Sequence, residues 1–316
     1  MSEIKLESSI KLRVPHLLGM EDLSKEEIEG ILDLSLQLEK RLELGEQKFT
    51  SLQGKTVINL FFENSTRTRV SFELAAKRLG ADVINISKVG SSAAKSESLY
   101  DTAKNISAFN PHIIVVRHEC SGAPLTLAKL VGAKVVNAGD GAHEHPTQGL
   151  LDMLTIKKRF GGFKGLKVAI VGDITHSRVA RSNILGLKKM GATVRLVGPM
   201  TMVPRAMESY GVEISHHLVE GIRDVDVIMM LRIQSERLED LPFPSVREYS
   251  KYFGLTTAVL EQAKSDVIIM HPGPVNRGVE ISPEVADGPY SLILHQVKNG
   301  LYVRMAVLHL LGGVKA

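Results

Sequence analysis

Short apolar runs rich in β-branched residues alternate along the chain with longer amphipathic stretches. Residues 55–62 (KTVINLFF) read as a buried strand bounded by Gly54 and a polar loop, and 81–86 (ADVINI), 112–117 (HIIVVR) and 133–138 (AKVVNA) read as further strands. A second series runs through 166–173 (LKVAIVGD), 192–199 (ATVRLVGP), 224–230 (DVDVIMM) and 266–274 (DVIIMHPGP). Between the strands the apolar spacing turns helical. Residues 24–45 predict a capped helix, with Ser24 and Glu27 in capping-box register. Val70, Leu74, Ala75 and Leu79 mark another, closed by Gly80. This βαβα rhythm predicts an α/β protein of two doubly wound domains, each a central, mainly parallel sheet flanked by helices. Residues 145–165 form a helix with a glycine-rich exit between the two series, and 299–313 form a last helix. The expected domains are 1–147 plus 291–316, and 148–290.

In open parallel sheets, ligands bind beyond the carboxyl ends of the strands. Every polar cluster of note falls there. STRTR, Arg117-His118-Glu119 and GAHEHPTQ follow strands of the first series. ITHSR, LRIQSER and HPGPVNR follow strands of the second. Two half-sites meeting in one interdomain cleft are the economical expectation.

The richest cluster is Ser65-Thr66-Arg67-Thr68-Arg69, at the turn from a strand into a helix. Helix N-terminal amides, added hydroxyls and a planar guanidinium together match the oxygens of a phosphate. Capping alone explains one hydroxyl, not three donors and a cation. Arg69 reads differently, as an ion-pair partner of Glu73 one turn on.

Composition narrows the function. Hydrophobic residues at 44% and charged residues at 23% exclude a largely disordered chain. No apolar run reaches membrane-spanning length, and the first residues lack the apolar core of a signal peptide. The single cysteine, Cys120, cannot form an internal disulfide, which fits a reducing cytoplasm and a small inert side chain. Net charge is +4, with −1 in residues 1–150 and +5 in the remainder. Trp is absent and the longest basic run is Lys157-Lys158-Arg159, so no nucleic-acid surface is expected. Small anionic ligands suit the mild excess better.

Three motifs mislead. Gly54-Lys55-Thr56 resembles the end of a Walker A loop, but it precedes a strand, and Phe49 stands where the first glycine belongs. VGDITHSRVA holds the place of a dinucleotide fingerprint without GxGxxG, so no NAD is expected. His143 and His145 flank Glu144, yet no HExxH and no thiolate accompany them. No metal and no cofactor are predicted.

Taken in order, STRTR, Arg117-His118 and His145-Pro146-Thr147-Gln148 resemble the carbamoyl-phosphate half-site of the carbamoyltransferase family. Arg232-Ile233-Gln234 and His271-Pro272-Gly273-Pro274 resemble the second half-site of its aspartate-specific branch. The ornithine branch carries Ser-Met-Gly and His-Cys-Leu-Pro motifs, which this chain lacks. The resemblance spans nearly the whole chain. It implies transfer of a carbamoyl group from carbamoyl phosphate to the amine of L-aspartate, an early step of pyrimidine synthesis.

The resemblance also assigns roles. Ser65, Thr66, Arg67 and Thr68 would grip the phosphate, and Arg117 would bridge phosphate and carbonyl oxygen. His145 would donate to that oxygen, while Gln148 and the carbonyls of Pro272 and Gly273 would orient the carbamoyl NH₂. Arg178, Arg232 and Gln234 would hold aspartate. Lys95, in the small, polar segment 87–101, would enter the neighbouring subunit's site, making a homotrimer obligatory. Two positions depart from the family pattern: Val179 stands where some members have a polar residue, and Ser96 breaks Lys-Gly-Glu. Association with regulatory chains or a dihydroorotase is left open by the sequence. So are two other functions, carbamoyl transfer to ornithine or a related amine, and a non-catalytic anion-binding scaffold.

Overall fold

The computed structural model describes residues 10–87, 98–233 and 245–313. The chain divides into two compact units, Met1–Leu154 with Lys298–Ala316, and Thr155–Val297. The first contains α1 (Lys25–Glu43), β1 (Thr56–Phe61), α2 (Thr66–Arg78), β2 (Asp82–Ser87), α3 (Leu99–Ala108), β3 (Ile113–His118), α4 (Ala123–Leu130) and β4 (Lys134–Asp140). The second contains β5 (Lys167–Val171), α6 (Arg178–Lys189), β6 (Thr193–Val197), a 3₁₀ helix (Arg205–Tyr210), β7 (Glu213–Ser215), α7 (Leu218–Ile222) and β8 (Val227–Met230). It continues with α8 (Val246–Phe253), α9 (Thr257–Leu260), β9 (Ile268–Met270) and α10 (Pro283–Ala286). The divisions fall inside two helices, α5 (Pro146–Phe160) and α11 (Ile293–Gly312). Each lies seven residues beyond the position read from the sequence: residues 146–154 of α5 belong to the first unit and 155–160 to the second.

Both sheets are wholly parallel. Their strand orders are β2-β1-β3-β4 and β7-β6-β5-β8-β9. Strands buried on both faces explain the unbroken Val/Ile runs of the sequence: β3 packs Ile114 and Val116 into the first core, and β5 packs Ala169 and Val171 into the second. Each sheet reverses its winding once. The chain builds outward from β1 to β2, then crosses to place β3 on the other side of β1. Likewise β8 lies against β5, on the side opposite β6. Crevices at the carboxyl ends of these two strand pairs, β1/β3 and β5/β8, are where such folds take ligands.

Helix boundaries follow local chemistry. Ser24 Oγ accepts from Glu27 N–H at 3.2 Å while Glu27 Oε2 accepts from Ser24 N–H at 2.8 Å, the expected reciprocal cap. Gly80 takes φ +88°, ending α2 in the left-handed conformation that a glycine adopts without strain. Among the described residues no helix is long and apolar enough to cross a membrane.

Candidate active site

In the first unit, β1 delivers Ser65–Thr68 and β3 delivers Arg117 to the same crevice. Their strands are neighbours, and Phe62 N–H donates to the Arg117 carbonyl at 2.9 Å just past the end of β1. Ser65 occupies the N-cap of α2 but makes no capping bond; its hydroxyl donates to Thr68 Oγ1 at 3.0 Å. The hydroxyls thus hold each other at the helix mouth. Thr66 and Arg67 are exposed there, while Thr68 is buried. The Arg117 guanidinium reaches the Ala138 carbonyl at 3.3 Å and Glu63 Oε2 at 3.3 Å, which ties the ends of β3, β4 and the β1 loop together. The Arg69–Glu73 pair expected from helical spacing is replaced by another. Glu73 is taken by Lys77 at 2.6 Å and by Asn85 at 2.9 Å, so Arg69 adds only a longer-range field that helps lower the Glu73 pKa.

His145 arrives on the loop between β4 and α5, and that loop is built around buried carboxylates. Asp140 Oδ1 accepts from Asn137 Nδ2 at 2.8 Å and Glu144 N–H at 3.1 Å; its Oδ2 accepts from Gly122 N–H at 2.7 Å. Glu144 Oε2 accepts from Met20 N–H at 2.8 Å. His143 pairs with Asp140 at 3.1 Å, which gives it a structural partner. His145 and Gln148 are both buried, one on each side of the proline that opens α5. Behind them, Gln148 Nε2 donates to Asp152 at 2.9 Å. The buried Arg304 of α11 donates to Ser71 Oγ at 2.8 Å and lies 5.1 Å from the Phe72 ring centroid. Burial pushes the Arg304 pKa down to about 10; the Asp152 charge opposes that shift and the Arg117 charge adds to it.

In the second unit, β5 leads through Asp173 to Arg178, the first residue of α6, and β8 leads to Arg232. Leu231 N–H donates to the Val171 carbonyl at 2.8 Å, which holds the two strand ends side by side. Gly172 between them has φ +134°, and a Cβ there would meet the Leu231 Cβ at 3.0 Å, so glycine alone fits. Asp173 is engaged by His176 at 2.9 Å. Burial, then the charges of Glu280 and Asp173, push the Tyr249 hydroxyl far above its ordinary pKa beneath this crevice.

Pro272 and Gly273 follow β9. His271 Nδ1 accepts from Gly273 N–H at 2.8 Å, which leaves its proton on Nε2, 3.1 Å from Glu280 Oε1. Glu280 also accepts from Asn276 N–H at 2.6 Å and Ile233 N–H at 3.4 Å, and Asn276 Nδ2 donates to the Ile233 carbonyl at 2.6 Å. One fully buried carboxylate therefore joins the loop after β9 to the segment after β8. Gln234 and Lys95 lie outside the described residues. Among the described residues, no three His, Cys, Asp or Glu side chains are arranged to hold a metal ion.

Two family models cover nearly the whole chain. Residues 15–158 match the aspartate/ornithine carbamoyltransferase carbamoyl-P binding domain, and 164–311 match the Asp/Orn binding domain. The chain belongs to the aspartate/ornithine carbamoyltransferase family. It is 58% identical over 303 residues to the aspartate carbamoyltransferase catalytic subunit of Syntrophus aciditrophicus, covering 95% of this chain and 98% of that one. Aspartate transcarbamoylase from Trypanosoma cruzi, solved with N-(phosphonacetyl)-L-aspartic acid, aligns with TM-score 0.84 and 30% identity over 93% of this chain and 94% of that one. Ornithine carbamoyltransferase from Pyrococcus furiosus aligns with TM-score 0.86 and 30% identity, over 97% and 100%. Backbone likeness therefore does not separate the two branches of the family, and the choice between them falls to side chains and to sequence identity.

In this carbamoyltransferase the structure adds residues that the sequence did not single out. Asp140, Asn137 and Glu63 hold the first crevice, and Glu280 holds the second. Asp152, behind Gln148, is another, and of these residues it alone carried a readable signal, four positions after Gln148 on one helical face.

Proposed function

We propose that this chain transfers the carbamoyl group of carbamoyl phosphate to the α-amine of L-aspartate, giving N-carbamoyl-L-aspartate and inorganic phosphate. The choice of aspartate rests on Arg178 and Arg232, two guanidiniums following neighbouring strands β5 and β8. A dicarboxylate calls for two cations, whereas ornithine carries one carboxylate. Relatives 54–58% identical that bear the aspartate name support the same reading.

In the reaction, the amine nitrogen bonds to the carbonyl carbon, the bond from that carbon to the phosphate oxygen breaks, and the amine proton leaves with phosphate. No nucleophilic residue is required; alignment and charge stabilisation carry the chemistry. Ser65, Thr66, Arg67 and Thr68 bind the phosphate, and Arg67 offsets the charge that grows as it departs. Arg117 spans phosphate and carbonyl oxygen. His145 donates to that oxygen as negative charge builds. Gln148 and the carbonyls of Pro272 and Gly273 accept from the carbamoyl NH₂, with Gln234 assisting at aspartate. The chain acts in the cytoplasm as a homotrimer in which Lys95 serves the neighbouring subunit's site, and regulatory chains or a dihydroorotase are candidate partners of that trimer.

The test is product formation from carbamoyl phosphate with aspartate or ornithine as acceptor. Carbamoylaspartate at a kcat/KM at least about a thousandfold above that for ornithine is expected, as for a site built to bind a charged substrate group that the competing acceptor lacks. Citrulline as the main product would overturn the assignment. Absence of both products would leave the scaffold function.

A further inference from the structure

We propose that Asp152 is a positioning residue that makes the site select a carbamoyl over an acyl phosphate, by fixing which end of the Gln148 amide faces the substrate. The inference rests on the function proposed above and refines it. Gln148 and Asp152 lie one turn apart on α5, and Gln148 Nε2 is 2.9 Å from Asp152 Oδ1. Asp152 is fully buried and Gln148 is 8% exposed. A carboxylate only accepts, so it holds the NH₂ end of the amide and repels the oxygen. Oε1 is then the end left for another partner. An acceptor at that place suits the NH₂ of a carbamoyl group and offers nothing to the methyl of an acetyl group.

The surroundings keep Asp152 in its accepting form. Its negative charge supports the buried Arg304 guanidinium, and that guanidinium is anchored by Ser71 and lies over the Phe72 ring. A buried carboxylate beside a buried cation stays charged because losing either charge would strand the other. Asn at position 152 would lack this one-sidedness. Its own amide can meet Gln148 with oxygen or nitrogen, so either end of Gln148 would turn outward.

Acetyl phosphate is the discriminating probe, since it shares the phosphate and the carbonyl but not the NH₂. In the intact protein its inhibition constant against carbamoyl phosphate should exceed the carbamoyl-phosphate KM. Asp152→Asn should raise that KM by about ten- to a hundredfold, the cost of leaving a polar group mismatched in a buried site, with the acetyl-phosphate constant unchanged. Gln148→Ala should remove the same preference, and the double variant should lose no more than either single one. Asp152→Ser removes the same charge without adding bulk and serves if the Asn variant does not fold. Equal weakening of both ligands, or an unaltered ratio in a folded variant, would overturn the role of Asp152. A wild-type protein that makes no carbamoylaspartate would instead overturn the function on which the inference stands.

Discussion

His309 is 2% exposed in the first unit, with neither ring nitrogen hydrogen-bonded among the described residues. Burial pushes its pKa down from 6.5 to about 4. The unfolded chain therefore takes up a proton first as pH falls. The stability linked to this neutral ring is complete above pH 6.5 and is lost on acidification toward pH 4, by up to about 3 kcal/mol. His309→Leu should flatten the rise of the urea midpoint between pH 4.5 and 7. An unchanged slope would show that other groups govern it. Arg304 is a buried cation on the same helix, and its pKa stays near 10, so it remains charged throughout that window.

At the scale of elements, the loops after β8 and β9 act as one body because Glu280 accepts from His271, Asn276 and Ile233. Glu280→Gln keeps the shape and removes the charge. It should raise the KM for aspartate by about ten- to a hundredfold, since each hydrogen bond to a buried charge is worth about 1.5–3 kcal/mol. Far-ultraviolet circular dichroism should be unaltered, and a KM within twofold of wild type would refute the clamp. Among the described residues, eight of the nine strands were legible in the sequence as apolar parallel runs, though β2, at the edge of its sheet, is largely exposed. β7 was not, because three residues, Glu213–Ser215, show no period. Ser65–Thr68, His145 and Gln148 were legible as clusters beyond strand ends, and Arg117 as a cation at the end of the β3 run. Glu280 was not, since nothing local marks a residue that works by touching three segments brought together only by folding.

For the whole molecule, the proposed trimer makes a quantitative prediction. If Lys95 completes a neighbour's site, Lys95→Ala and Arg67→Ala chains should each be nearly inactive alone. Co-refolded in equal amounts, they should recover about a quarter of wild-type activity, the chance that a site draws one intact set from each parent. No recovery on mixing would mean self-contained sites.

Because the first unit includes Lys298–Ala316 as well as Met1–Leu154, it takes its last helix from the far end of the chain. On the ribosome, every strand of both sheets is made before Arg304 emerges to meet Ser71 and Phe72. Until then Asp152 has no buried cation beside it. A nascent chain halted short of α11 would carry the turn at Ser65–Thr68 yet lack Arg304, the cation that backs Asp152 and through it Gln148.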